Sequence, residues 1–208
     1  MSKVLEVLEQ APILPVLVIE RVEDAVPLAK ALVAGGLPVL EVTLRTDAAL
    51  EAIARIKGEV EGVVCGAGTV NHGGFADSLK KVKADFAVSP GYTKSLGEAL
   101  RDAEIPLIPG VSTASELMVC LDAGYACCKF FPAEAMGGVK TLKSLAGPFP
   151  EARFCPTGGI TPENLSHYLS LSSVVTAGGS WVAPKDAIAR GDWGLIESLA
   201  SNAVAIAR

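Results

Sequence analysis

The stretch Pro38-Val-Leu-Glu-Val-Thr-Leu-Arg-Thr46 reads as a β-strand with two unlike faces. Side chains alternate across a strand, so Glu41, Thr43 and Arg45 share one side and Leu40, Val42 and Leu44 share the other. Behind it, Leu50, Ile53 and Ile56 follow Thr46 at helical spacing. This strand-then-helix unit repeats outward in both directions. Short apolar runs at 13–19, 38–43, 63–67, 86–88, 107–108, 126–130, 153–155 and 174–176 alternate with amphipathic stretches. Such alternation is the pattern of a parallel sheet whose strands are joined by helices. Eight strands in 208 residues fit the small end of the (β/α)8 TIM-barrel range. A doubly wound sheet would carry a glycine fingerprint after its first strand, and none follows 13–19.

The helices carry their own punctuation. Thr113 with Glu116 forms a capping-box pattern, Thr161-Pro162 an N-cap followed by proline, and Gly124 sits where a closing glycine would. Leu195, Leu199, Asn202/Ala203 and Ile206 give the last helix an apolar stripe, and residues 2–8 read as a short extra N-terminal helix. Pro15 interrupts the hydrogen-bond ladder expected of the first strand. With no linker or low-complexity tract, one barrel domain over residues 1–208 is expected.

Eighteen Lys/Arg against 23 Asp/Glu leave a net charge of −5, and no basic run is present to neutralise a phosphate backbone. Nucleic acid and anionic membrane are therefore excluded as expected partners. The longest apolar stretch, 11–19, contains two prolines and falls far short of the roughly 18 residues a bilayer span needs. Acidic residues interrupt the first ten positions, so no signal-peptide core is read there and a cytoplasmic chain is expected. Five cysteines, an odd number, read as reduced buried thiols. His72 and His167 have no partners at metal-ligand spacing, so neither a metal nor a cofactor is expected.

Two charged residues stand where a barrel strand should be apolar. Active sites of this architecture are built at the C-terminal ends of the strands, which points Glu41 and Arg45 into the site. The alternative is an internal ion pair that merely fills the barrel. Burial disfavours an ionised carboxylate and suits it to proton transfer. In Gly124-Tyr-Ala-Cys-Cys-Lys-Phe-Phe-Pro-Ala-Glu134, Lys129 lies between two cysteines and two phenylalanines, with Cys127 and Phe131 on its face. Apolar surroundings disfavour its ammonium form and free the amine to attack a carbonyl carbon, as a Schiff base requires. The alternative is a lysine that reaches solvent from a strand end or pairs with Glu134. By the same alternation Val63, Cys65, Ala67 and Thr69 share a face. Three glycine turns are read after strands, in Gly66-Ala-Gly-Thr69, Thr157-Gly-Gly-Ile160 and Ala177-Gly-Gly-Ser-Trp181. The last two follow the seventh and eighth strands, where barrel enzymes commonly bind phosphate through backbone N–H groups. Gly158, Gly159, Gly178, Gly179 and Ser180 are the resulting phosphate cradle.

Taken together, Glu41-Val-Thr-Leu-Arg-Thr46, Gly66-Ala-Gly-Thr69, Ser89-Pro-Gly91, Lys129-Phe-Phe-Pro-Ala-Glu134, Pro156-Thr-Gly-Gly159 and Gly178-Gly-Ser-Trp181 resemble, in order, the class I 2-keto-3-deoxy-6-phosphogluconate and 4-hydroxy-2-oxoglutarate aldolases. The resemblance covers nearly the whole chain. It implies a (β/α)8 barrel, a homotrimer, no metal, and an imine between Lys129 and the keto group of a phosphorylated keto acid. By the same resemblance Glu41 is the general acid/base and Arg45 and Thr69 hold the pyruvate carboxylate. Thr157 bonds a substrate hydroxyl, Pro90 and Phe131 wall the pocket, and Ser180 joins the phosphate site. Ser180 favours a gluconate-type substrate over the galactonate-type one. The Cys127-Cys128 pair and Pro38 depart from the expected motif without removing a functional group. Competing readings are an aldolase acting mainly on 4-hydroxy-2-oxoglutarate or on the phosphogalactonate analogue, and a non-catalytic barrel that binds a phosphorylated metabolite.

Overall fold

The computed structural model describes residues 3–206. Its strands are β1 (Ile13–Leu17), β2 (Val39–Thr43), β3 (Val64–Gly68), β4 (Ala87–Val88), β5 (Leu107–Ile108), β6 (Gly110–Val111), β7 (Cys127–Phe130), β8 (Arg153–Pro156) and β9 (Ala177–Gly179). All pairings are parallel, in the orders β5-β4-β3-β2-β1-β9 and β6-β7-β8. Pro109 alone separates β5 from β6, and its carbonyl accepts a 2.8 Å bond from the Lys129 N–H. On the other side, Thr157 after β8 bridges Gly178 of β9. The molecule is thus a curled parallel α/β sheet with helices between its strands.

Two apolar clusters explain the alternation. The larger lies between strands and helices and takes Leu40, Val42, Cys65, Ala67, Cys128 and Phe130. The smaller lies on the opposite face of the strands and consists of Leu8, Leu14, Val39, Phe86, Val88, Ile108, Cys127 and Cys155. Val4, Leu5 and Val7 of the helix Lys3–Leu8 pack against this inner cluster. The expected N-terminal helix therefore covers one end of the inner space, although Ser2 lies outside the described residues. Pro15 sits within β1, in register with Gly179. All five cysteines are buried and unpaired.

Several local expectations change. Gly66 and Gly68 form no turn; they lie in β3, where the space a Cβ would fill holds the Phe86 ring and the Glu41 carboxylate respectively. The last strand begins at Ala177, not Val174, which makes only a bridge to Phe154, so Gly178 and Gly179 are strand residues. Strand propensity favoured the β-branched run, but the pairing with β1 falls on the glycines. The next helix begins at Ala49, and the Thr46 hydroxyl ahead of it donates to the Ile19 carbonyl at 2.6 Å. The final helix, Trp193–Ile206, buries Ile196, Ala200 and Ala203, while Leu195 and Ile206 are exposed. Small residues win there because Gly35 lets the helix Val22–Ala34 approach so closely that a Cβ would overlap Ala200. The Thr113/Glu116 and Thr161 caps form, and Gly124, at φ 88°, closes its helix.

Candidate active site

β2 and β7 bring the two charged residues together across the inner space. Lys129 is 6% exposed and Glu41 fully buried, and Lys129 Nζ lies 3.4 Å from Glu41 Oε1. The other carboxylate oxygen, Oε2, is buried with no hydrogen-bond partner among the described residues. A buried ion pair adds little net stability, and one left half satisfied costs free energy. Such a pair therefore points to use of the groups. Gly68 makes the pair possible, since its missing side chain is the room in which the Glu41 carboxylate lies. Lys129 pairs with Glu41, not with Glu134, whose carboxylate accepts a hydrogen bond from the Tyr168 hydroxyl.

Around the amine, the Phe131 ring is half-buried with its centroid 5.2 Å from Nζ, close enough for cation–π attraction when the amine is charged. The Phe131–Pro132 peptide is cis. Cys155 stands in register with Lys129 on the adjoining strand. Burial pushes its thiol pKa up to about 12, so at neutral pH it remains a thiol and does not rival the amine as a nucleophile. Thr157 is buried, with its hydroxyl 3.4 Å from the Cys155 carbonyl and against the α-carbon of Gly178.

Arg45 is exposed, and its Nε donates to Thr69 Oγ1 at 3.1 Å. Thr69 does not continue the face of Cys65 and Ala67. It takes a left-handed φ of 59°, strained for a β-branched residue, and this turns its hydroxyl to the arginine. Pro90 is exposed in the loop after β4, where Ser89 Oγ donates to the Gly91 carbonyl at 2.6 Å. Gly158 and Gly159 take φ of 101° and 79° directly after Thr157, a turn that only glycine adopts without strain. Ser180 is exposed just past β9, and the Trp181 ring fills the space over Gly179. The structure thus joins Lys129 to Glu41 and Phe131, Arg45 to Thr69, and Thr157 to Gly178. Sequence reading missed the space-making role of Gly68 and the Glu134–Tyr168 contact. Only a glycine paired across from a strand carboxylate could have signalled the first. Among the described residues no three His, Cys, Asp or Glu side chains are placed to hold a metal ion.

A parallel α/β protein that gathers a buried amine and a buried carboxylate on the inner face of its strands is of the class equipped to form and break imines. The family described as KDPG and KHG aldolase matches residues 4–199. A 2-dehydro-3-deoxy-phosphogluconate aldolase of Pseudoalteromonas atlantica is 55% identical over 200 residues, 96% of this chain and 93% of that protein. The 2-keto-3-deoxy-6-phosphogluconate aldolase of Zymomonas mobilis, solved with 3-phosphoglycerate, superimposes with a TM-score of 0.94 at 48% identity, covering 99% of this chain and 97% of that one. The KDPG aldolase of Legionella pneumophila, with pyruvate captured at low pH as a covalent carbinolamine intermediate, gives 0.93 at 46% identity, over 96% and 97% of the two chains. This chain belongs to the KDPG and KHG aldolase family.

Proposed function

We propose that this chain is a metal-independent class I aldolase that cleaves 2-keto-3-deoxy-6-phosphogluconate to pyruvate and glyceraldehyde 3-phosphate, with side activity on 4-hydroxy-2-oxoglutarate. The observation that carries the reading is the only buried lysine among the described residues, set 3.4 Å from a buried glutamate. Neutral Lys129 attacks the C2 ketone, and loss of water from the carbinolamine leaves a protonated iminium. That cation draws the electrons of the C3–C4 bond as it breaks, storing them in an enamine and releasing the aldehyde. Glu41 moves the protons: it relays them during carbinolamine formation and loss of water, takes the C4 hydroxyl proton during cleavage, directly or through water, and protonates the enamine carbon afterwards. Hydrolysis then frees pyruvate and the lysine.

Arg45 and Thr69 hold the pyruvate carboxylate, for which the planar guanidinium is suited. Thr157 bonds a substrate hydroxyl, Phe131 and Pro90 wall the pocket, and the Gly158-Gly159 turn with Gly178, Gly179 and Ser180 receives the phosphate. The link from Thr157 to Gly178 and the Lys129 bond to Pro109 support a closed (β/α)8 barrel forming one domain. A homotrimer is the assembly, supported by the exposure of Met118 and Val119, each 54%, on the helix Ala114–Asp122. A cytoplasmic setting accords with five buried unpaired cysteines.

The test is borohydride reduction in the presence of pyruvate, read by intact mass and peptide mapping, on the wild type and on Lys129→Met. A single reduced adduct on Lys129, lost in the variant, is the expected result. Folded wild-type protein that traps no adduct would overturn the imine mechanism and leave a phosphometabolite-binding barrel.

A further inference from the structure

The Glu134–Tyr168 contact lies outside the amine–carboxylate pair, yet it joins the loop after Lys129 to the helix that follows the glycine turn. Tyr168 is fully buried in the helix Pro162–Leu169, and a buried phenol must find a partner. Its hydroxyl donates to Glu134 Oε1, on the loop that follows Lys129. Burial, together with that carboxylate, pushes the Tyr168 hydroxyl well above the ordinary phenol range, so it stays the donor. Glu134 in turn supports the glycine turn. A Cβ on Gly159 would lie 2.6 Å from Glu134 Cγ, and the Glu134 N–H donates to the Gly158 carbonyl at 3.0 Å. From the other side Asn164 Nδ2 bonds the Gly159 carbonyl at 3.0 Å. The turn is thus clamped between its own helix and the loop of the catalytic strand.

We propose that Tyr168 and Glu134 are a positioning pair that sets the Gly158-Gly159 turn for the phosphate end of the substrate, and so governs selection for phosphorylated over unphosphorylated keto acids. This rests on the phosphate reading given above. Neither residue touches the reacting carbons. Anchoring by Tyr168 also keeps the Glu134 charge from swinging over the turn, where it would repel a phosphate.

Steady-state kinetics on 2-keto-3-deoxy-6-phosphogluconate and on 4-hydroxy-2-oxoglutarate tests the pair, using Tyr168→Phe, Glu134→Ala, the double variant and Ser180→Asp. Tyr168→Phe and Glu134→Ala should each raise KM for the phosphorylated substrate roughly five- to tenfold, the size of one lost hydrogen bond. For both, kcat and all constants for the unphosphorylated substrate stay unchanged. The double variant should be no worse than the more impaired single one, because the two act as a unit. Equal losses on both substrates, or no KM change while Ser180→Asp impairs only the phosphorylated one, would overturn the positioning role. If Ser180→Asp itself damages both substrates equally, the phosphate reading falls, and this inference with it. Glu134 is an exposed residue, so its variant tests the idea even where loss of the Tyr168 hydroxyl unsettles the fold.

Discussion

The space inside the curled sheet has two ends made by the same strands, and they differ completely. At the N-terminal end, Leu14 and Val39 meet Phe86, Cys127 and Leu8 beneath the first helix. Two residues further along β2 and β7, the same faces carry Glu41 and Lys129. The carbon-lined end supplies stability and a low dielectric floor. The polar end spends some of that stability on a carboxylate with one orphaned oxygen. Strand alternation alone gives both residues of each strand one direction; what separates them is only how far along the strand they stand.

The contrast is broken most sharply at the polar end. Glu41→Gln keeps the shape but removes the carboxyl proposed to carry protons, and kcat for cleavage should fall about 10²- to 10⁴-fold. Pyruvate should still be trapped on Lys129 by borohydride, only more slowly, which separates the rate of proton transfer from the capacity to form the imine. Gly68→Ala comes next. Its Cβ would occupy the position of the Glu41 carboxylate, and a displacement of about 1 Å should lower kcat on the order of 10²-fold while circular dichroism stays native. At the apolar end the effect moves from rate to stability. Phe86→Ala removes the only aromatic ring of the inner cluster and should cost about 3 kcal/mol in urea unfolding, yet leave kcat of the folded fraction within about threefold. A tenfold loss of kcat there would show that the two ends are coupled and dissolve the distinction.

Much of this was legible beforehand. Lys129 among cysteines and phenylalanines, and Glu41 in an alternating strand, announce themselves because a charge in an apolar run has a high desolvation cost that only a partner or a function offsets. The Thr113 and Thr161 caps were equally readable, since capping is decided within four residues. Glycine was where reading failed. Gly66, Gly68, Gly178 and Gly179 looked like turn residues, but they are strand positions cleared for Phe86, Glu41, Thr157 and Trp181. Nothing local reveals which side chain from another element will occupy the space a glycine leaves. The same limit hid the face of the final helix, where close approach to Gly35 selects Ala200 over Leu199.

By itself, then, the sequence determined the strand–helix alternation, the direction of each strand side chain and the chemical types at the site. These follow from short-range rules of alternation, capping and burial cost. Only the tertiary structure decided that Lys129 faces Glu41 instead of Glu134, that Thr69 leaves its strand's alternation to meet Arg45, and that Tyr168 reaches Glu134 across 34 positions of chain. Each is a long-range contact chosen by packing and by the need to pair buried polar groups, and no local pattern encodes such a choice.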